Sequence, residues 1–268
     1  MTATTDLLDG RDGRIAVHRW SPPVPRGLLL LAHGYGEHAG RYAGLGEHLA
    51  ARGWRVVAPD HAGHGCSDGE RALLPDLERL ADDLALVGER ALADAPELPL
   101  ALLGHSLGGI VATRLAQRRL LPLAGLALSG PVIGGNPEIL ALLDLDPIPE
   151  VPIDPAILSR DPAVGAAYAA DPLVHHGPFR RETLEGVAAA VAAIAAAPPL
   201  GDLPLLWLHG EEDALAPLAV TRTAIGGLGA TAVEQHVYPG ARHEVLNETN
   251  RDEIRADLDR FLDRLLVG

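Results

Sequence analysis

Ser106 stands in Gly104-His105-Ser106-Leu107-Gly108, after an apolar run at 100–103 and before a helical pattern at 110–119. A chain that turns from strand to helix within one residue holds that residue at strained dihedral angles, and glycines two before and two after let the backbones pass. The strain lifts the serine hydroxyl clear of the sheet, at a helix N-terminus whose free N–H groups and dipole favour negative charge. Such a serine is poised for acyl transfer. In a chain with 30 glycines the pentapeptide alone arises by chance; the strand before it and the helix after it give it meaning.

A serine nucleophile needs a base to take its proton and a carboxylate to orient that base, and after this kind of turn they follow in the order Ser, Asp or Glu, His. The apolar run at 203–208 leads into His209-Gly210-Glu211-Glu212-Asp213, and the run at 233–238 into Pro239-Gly240-Ala241-Arg242-His243. Groups beyond the carboxyl ends of parallel strands are placed for chemistry. Asp213 is therefore expected as the acid, with Glu211, Glu212 and Asp202 as rivals, and His243 as the base. Of the twelve histidines, His236 reads as a core or surface residue, His209 as support for its loop, and His175 and His176 as structural.

The developing oxyanion needs two backbone N–H groups, one from the residue after the nucleophile and one from a loop after an early strand. Leu107 supplies the first. Tyr35, between the glycines of His33-Gly34-Tyr35-Gly36, supplies the second. Asp60, His61 and His64 have a superficial metal-ligand spacing, but their glycines and the Ser67-Asp68-Gly69 turn read as a tight strand-end loop. Cys66 in that loop reads as inert. No metal and no cofactor is expected.

Six apolar runs (28–32, 56–59, 100–103, 123–128, 203–208 and 233–238) alternate with helical patterns at 42–52, 76–95, 110–119, 218–226 and 252–266. Continuous apolar strands separated by helices specify a mostly parallel sheet with helices on both faces. An N-terminal hairpin, with turns at Asp9-Gly10 and Asp12-Gly13, precedes them. The alternation breaks in a proline- and alanine-rich stretch whose apolar pairs at helical spacing include Ile139, Leu140, Leu142 and Leu143, and which ends in a helix over 181–197. The expected division is core over 1–130, an inserted helical cap over 131–199, and core again over 200–268. Ile139 and Leu142 are expected beside an acyl chain.

A net charge of −14 argues against nucleic acid and anionic membrane surfaces as partners. Every one of the 22 basic residues is arginine, which excludes Schiff-base lysines, a Walker lysine and a Ser-Lys dyad. One cysteine cannot form an internal disulfide, and neither a signal-peptide pattern nor a bilayer-length apolar stretch is found, so a soluble, cytoplasmic protein is expected, with at most transient membrane-surface contact through the cap.

The blocks HGYGEHAGRY (33–42), DHAGHGCSDG (60–69), GHSLGG (104–109), SRDPAV and YAADPLV (within 159–174), HGEEDALAP (209–217) and YPGARHEVLNE (238–248) follow one another along nearly the whole chain. In these blocks the chain resembles the monoacylglycerol lipase-like serine hydrolases of the α/β-hydrolase fold. The resemblance implies Ser106, Asp213 and His243 as triad, and Tyr35 and Leu107 as oxyanion donors. It adds Glu37 and Arg41 as polar contacts to the leaving alcohol, or as an ion pair that braces the loop. It also implies a small lipid ester as substrate. A general carboxylesterase, a lysophospholipase or an amide hydrolase would keep the same triad; a non-catalytic binding protein of this descent would keep only the pocket.

Overall fold

The computed structural model describes residues 2–267. Eight strands form one sheet: β1 (Thr2–Asp9), β2 (Arg14–Ser21), β3 (Gly27–Ala32), β4 (Trp54–Pro59), β5 (Leu100–His105), β6 (Leu123–Ser129), β7 (Leu205–Gly210) and β8 (Val233–Tyr238), in the order β1-β2-β4-β3-β5-β6-β7-β8. β1 and β2 form the expected hairpin, closed by Gly10 N–H donating to Gly13 O at 2.8 Å, and β2 joins β4 antiparallel. Every other pairing is parallel. This is the α/β-hydrolase architecture.

The leucine run of β3 explains the layering. Side chains of a strand alternate between faces, so Leu28 and Leu30 enter one core, with α2 (Leu77–Ala93) and α3 (Leu107–Gln117), while Leu29 and Leu31 enter the other, with α1 (Ala43–Ala51) and α8 (Arg251–Leu265). A run apolar at every position is what a strand covered on both faces requires. α7 (Leu218–Gly227) sends Ile225 into the first core.

From β3 the chain crosses to β4 on one side, then returns past β3 to β5 on the other. That reversal makes β3 and β5 neighbours, with Ala32 paired to Gly104. Ligands in open parallel sheets sit where the strand order reverses. The loop after β3 and the turn after β5 therefore open side by side.

Between β6 and β7 lie α4 (Pro137–Leu140), α5 (Pro162–Ala170) and α6 (Arg181–Ala196). α6 turns Leu184, Val187, Val191 and Ile194, spaced three, four and three, toward the rest of the molecule, where Ile194 is buried in the first core and Val187 and Val191 pack against it. Directed bonds tie this segment down: Thr183 Oγ1 donates to Ala72 O (2.8 Å), the His175 amide to Gly36 O (2.7 Å), and the Asn136 side chain to Ala214 O (3.0 Å). No helix among the described residues is long and apolar enough to cross a membrane.

Candidate active site

Ser106, between β5 and α3, sits at φ 54°, ψ −120°, a positive-φ conformation that costs a non-glycine residue of order 1–3 kcal/mol. The helix starts at once, so α3 begins at Leu107, three residues before the periodic pattern at 110–119. Both glycines are needed for close approach: a Cβ on Gly104 would lie 2.4 Å from Gly108 O, and one on Gly108 would lie 2.1 Å from Ala32 O.

His243 Nδ1 donates to Asp213 at 2.8 Å (Oδ2) and 3.0 Å (Oδ1), with both residues buried. This leaves Nε2 as the free ring nitrogen. Asp213 Oδ1 also accepts the amides of Leu215 (2.9 Å) and Ala216 (2.8 Å), and His209 Nε2 donates to Ala216 O (2.8 Å), bracing the loop that carries Asp213. Burial works against the charged forms. The charge and hydrogen bond between the two partners prevail, holding Asp213 below the usual carboxylate range and His243 above the usual imidazole range. The rival carboxylates lie elsewhere: Glu211 and Glu212 are exposed, and Asp202 accepts from Thr231 at 3.0 Å.

The amides of Tyr35 and Leu107 donate to no protein group among the described residues. Both residues line one cavity with Ser106 and His243. The Ser106 hydroxyl makes no hydrogen bond to a described residue either. The walls of the cavity are mostly apolar. Ile139 lines it, and so does its neighbour Leu140 at the end of α4, but Leu142 does not; it falls in the tighter 3-10 turn over Ala141–Asp144 that follows.

Glu37 is buried. Its Oε1 accepts the Gly34 amide (2.7 Å) and the Tyr42 hydroxyl (2.6 Å), and its Oε2 accepts from Arg41 (2.7 Å). Below the loop that carries Tyr35, the His61 amide donates to His33 Nε2 (2.9 Å), and Asp60 accepts the amides of Ala39 and Cys66, each at 2.8 Å. Burial pushes His61 and His64 down to about 4, so these rings stay neutral supports of the loop. Among the described residues no cluster of His, Cys, Asp and Glu could hold a metal ion. Cys66 is exposed. His236 sits half-buried on the edge strand, 2.9 Å from Glu234.

The model of the family described as serine aminopeptidase, S33, matches residues 23–250. The chain belongs to this family. Within it, it is a monoacylglycerol lipase-like α/β-hydrolase. It is 37% identical over 263 residues to a monoacylglycerol lipase of Mycolicibacterium smegmatis, covering 93% of this chain and 92% of the relative. A monoglyceride lipase of Rattus norvegicus is 34% identical over 240 residues, with 85% and 79% covered. Among solved structures, the monoacylglycerol lipase of Paleococcus ferrophilus superposes with a TM-score of 0.79 at 26% identity, covering 100% of this chain and 99% of that one. A soluble variant of the Saccharomyces cerevisiae monoglyceride lipase, in complex with a substrate analogue, superposes with a TM-score of 0.86 at 21% identity, with 99% and 95% covered, a likeness of fold.

Against that family background, several wall residues of the hydrolase stand out as unread in the sequence. Leu158, Tyr168, Leu184, Val187 and Leu215 line the cavity. For Leu184 and Val187 the stripe of α6 was a usable signal, since it marks a buried face without saying what the face meets. Glu244, next to His243, lies in the YPGARHEVLNE block yet pairs with Arg41, 203 positions earlier.

Proposed function

We propose that this hydrolase cleaves carboxylic esters of lipids, monoacylglycerols foremost, to fatty acid and glycerol. One observation carries the reading: Ser106, the buried His243–Asp213 pair and two unbonded amides converge on a single, mostly apolar cavity. In this mechanism Ser106 Oγ attacks the ester carbonyl while His243 Nε2 takes its proton, and Asp213 stabilises the imidazolium. The Tyr35 and Leu107 amides receive the oxyanion. Collapse expels the alcohol, protonated by His243, and water then repeats the sequence on the acyl-enzyme to release the acid.

The segment over 131–199 acts as the cap. Its Ile139, Leu140, Leu158, Leu184 and Val187 give an alkyl chain apolar contact. Exposed Leu145 and Val151 in the same segment suit brief contact with a lipid surface. The names of the mycobacterial and rat relatives support monoacylglycerol as the substrate.

The family description favours a second reading, removal of N-terminal residues from peptides. That activity needs an acidic group free to receive an α-ammonium. The two acidic side chains of the cavity wall, Glu37 and Glu244, are both paired with Arg41, which favours a neutral ester. Turnover of monoacylglycerols, p-nitrophenyl esters, lysophospholipids and aminoacyl anilides decides between them. Monoacylglycerols are expected to give the highest kcat/KM; faster cleavage of the anilides would reverse the assignment.

A further inference from the structure

Arg41 sits between two loops that come from opposite ends of the chain. Its NH1 donates to Glu37 Oε2 (2.7 Å) and to Glu244 Oε1 (2.8 Å), and its NH2 donates to Glu244 Oε2 (3.0 Å). Both hydrogens of NH1 are thus committed. The guanidinium also lies over the Tyr168 ring, 5.2 Å from its centroid. On one side, Glu37 holds the Gly34 amide, next to the proposed oxyanion donor Tyr35. On the other, Glu244 directly follows His243 and is itself held by the Asn247 side chain (2.9 Å) and, through its amide, by Leu158 O (2.7 Å).

We propose that Glu37, Arg41 and Glu244 form a positioning bridge that keeps the oxyanion loop and the base loop in register, with Glu244 as a positioning residue for hydrolysis. The proposal rests on the hydrolase reading above. Forked guanidinium–carboxylate pairs fix orientation as well as distance. Buried carboxylates this close to a forming oxyanion need a cation of their own; Arg41 supplies it and leaves the amide donors unopposed. The bridge thereby gives Glu37 and Arg41 a role other than direct service to the leaving alcohol.

Deacylation separates the two roles, because the alcohol has already left when it occurs. A residue that only holds glycerol cannot slow it, whereas a misaligned oxyanion loop or base slows both half-reactions. Rapid mixing with a p-nitrophenyl ester resolves acylation as a burst and deacylation as the steady state, with monoacylglycerol turnover measured alongside. Glu244→Ala is expected to slow both steps by about 10- to 100-fold on either substrate, with KM changed by less than about threefold, and Glu244→Gln to recover part of the loss. A loss confined to acylation by monoacylglycerol overturns the bridge in favour of alcohol binding. A lowered Tm with both rates intact overturns it in favour of a purely structural pair. Should Glu244→Ala fail to fold, Arg41→Lys carries the same measurement, since an ammonium keeps the charge and loses the fork, and the same slowing of both steps is expected. A wild-type enzyme without a burst and without an acyl-enzyme would instead sink the hydrolase reading beneath the proposal.

Discussion

The two ends of the cavity are built in different ways. At the reacting end, the parts are held by directed bonds: two backbone amides and an imidazole on Asp213, an amide and a phenol on Glu37, a forked guanidinium on Glu244. At the other end, Ile139, Leu140, Leu158 and Val187 meet the cavity with nothing but methyl and methylene surface. Hydrogen bonds weaken steeply with angle and distance, while dispersion contacts tolerate repacking. Geometry is therefore strict where charge develops and permissive where a chain only has to be covered.

The sharpest way to break this contrast is at the nucleophile. Ser106→Ala is expected to lower ester turnover by at least about 10⁴-fold while leaving the fold intact, because triad members act as a unit. Retention of a tenth of the wild-type rate would refute a serine mechanism, and labelling of the wild type, but not of the variant, by a fluorophosphonate probe checks it independently.

Asp213→Asn tests the directed bonds next. It should reduce kcat by about 10³- to 10⁴-fold with little change in KM, since the base loses both its tautomer and its counter-charge. Glu212→Gln, on an exposed side chain, should do almost nothing. A larger loss there would transfer the acid role.

The pH profile sharpens the electrostatic half of the comparison. His243 must be neutral to accept a proton, and it sits above the usual histidine value of 6.5 because Asp213 outweighs burial, with Glu244 and Glu37 adding to it. Activity should consequently fall as pH drops through a point above 6.5. In Asp213→Asn burial is opposed only by the weaker pull of Glu244 and Glu37, so the residual activity should lose its acid limb at lower pH than wild type. A limb that moves upward would contradict the account.

At the permissive end the effects are smallest. Ile139→Trp or Leu140→Trp should shorten the preferred acyl chain, changing relative kcat/KM among chain lengths by about tenfold, the worth of one or two methylenes in an apolar pocket. Leu142→Trp, off the cavity wall, should leave the preference unchanged. Chain-length profiles of the three variants measure the difference, and an equal shift in all of them would mean that the cap packs differently around bound substrate.

The parts of the site governed by neighbours in sequence were legible without the fold. A strand, a serine at positive φ and a helix within ten residues leave a local imprint at 100–110, and acid and base each follow an apolar run that only a buried strand explains. The leucines of β3 likewise announced a sheet covered on both faces. Distances across the chain left no such imprint. Whether Asp213 or its neighbours Glu211 and Glu212 would turn inward depends on where the loop meets His243. Whether Leu140 or Leu142 would face the cavity depends on where a one-turn helix gives way to a 3-10 turn. The pairing of Arg41 with Glu244 exists only because β3 and β8 deliver their loops to one end of the sheet. Periodicity and spacing report torsions and faces, which are local; the partner of a buried charge is chosen by topology, and only the folded chain brings the candidates within reach.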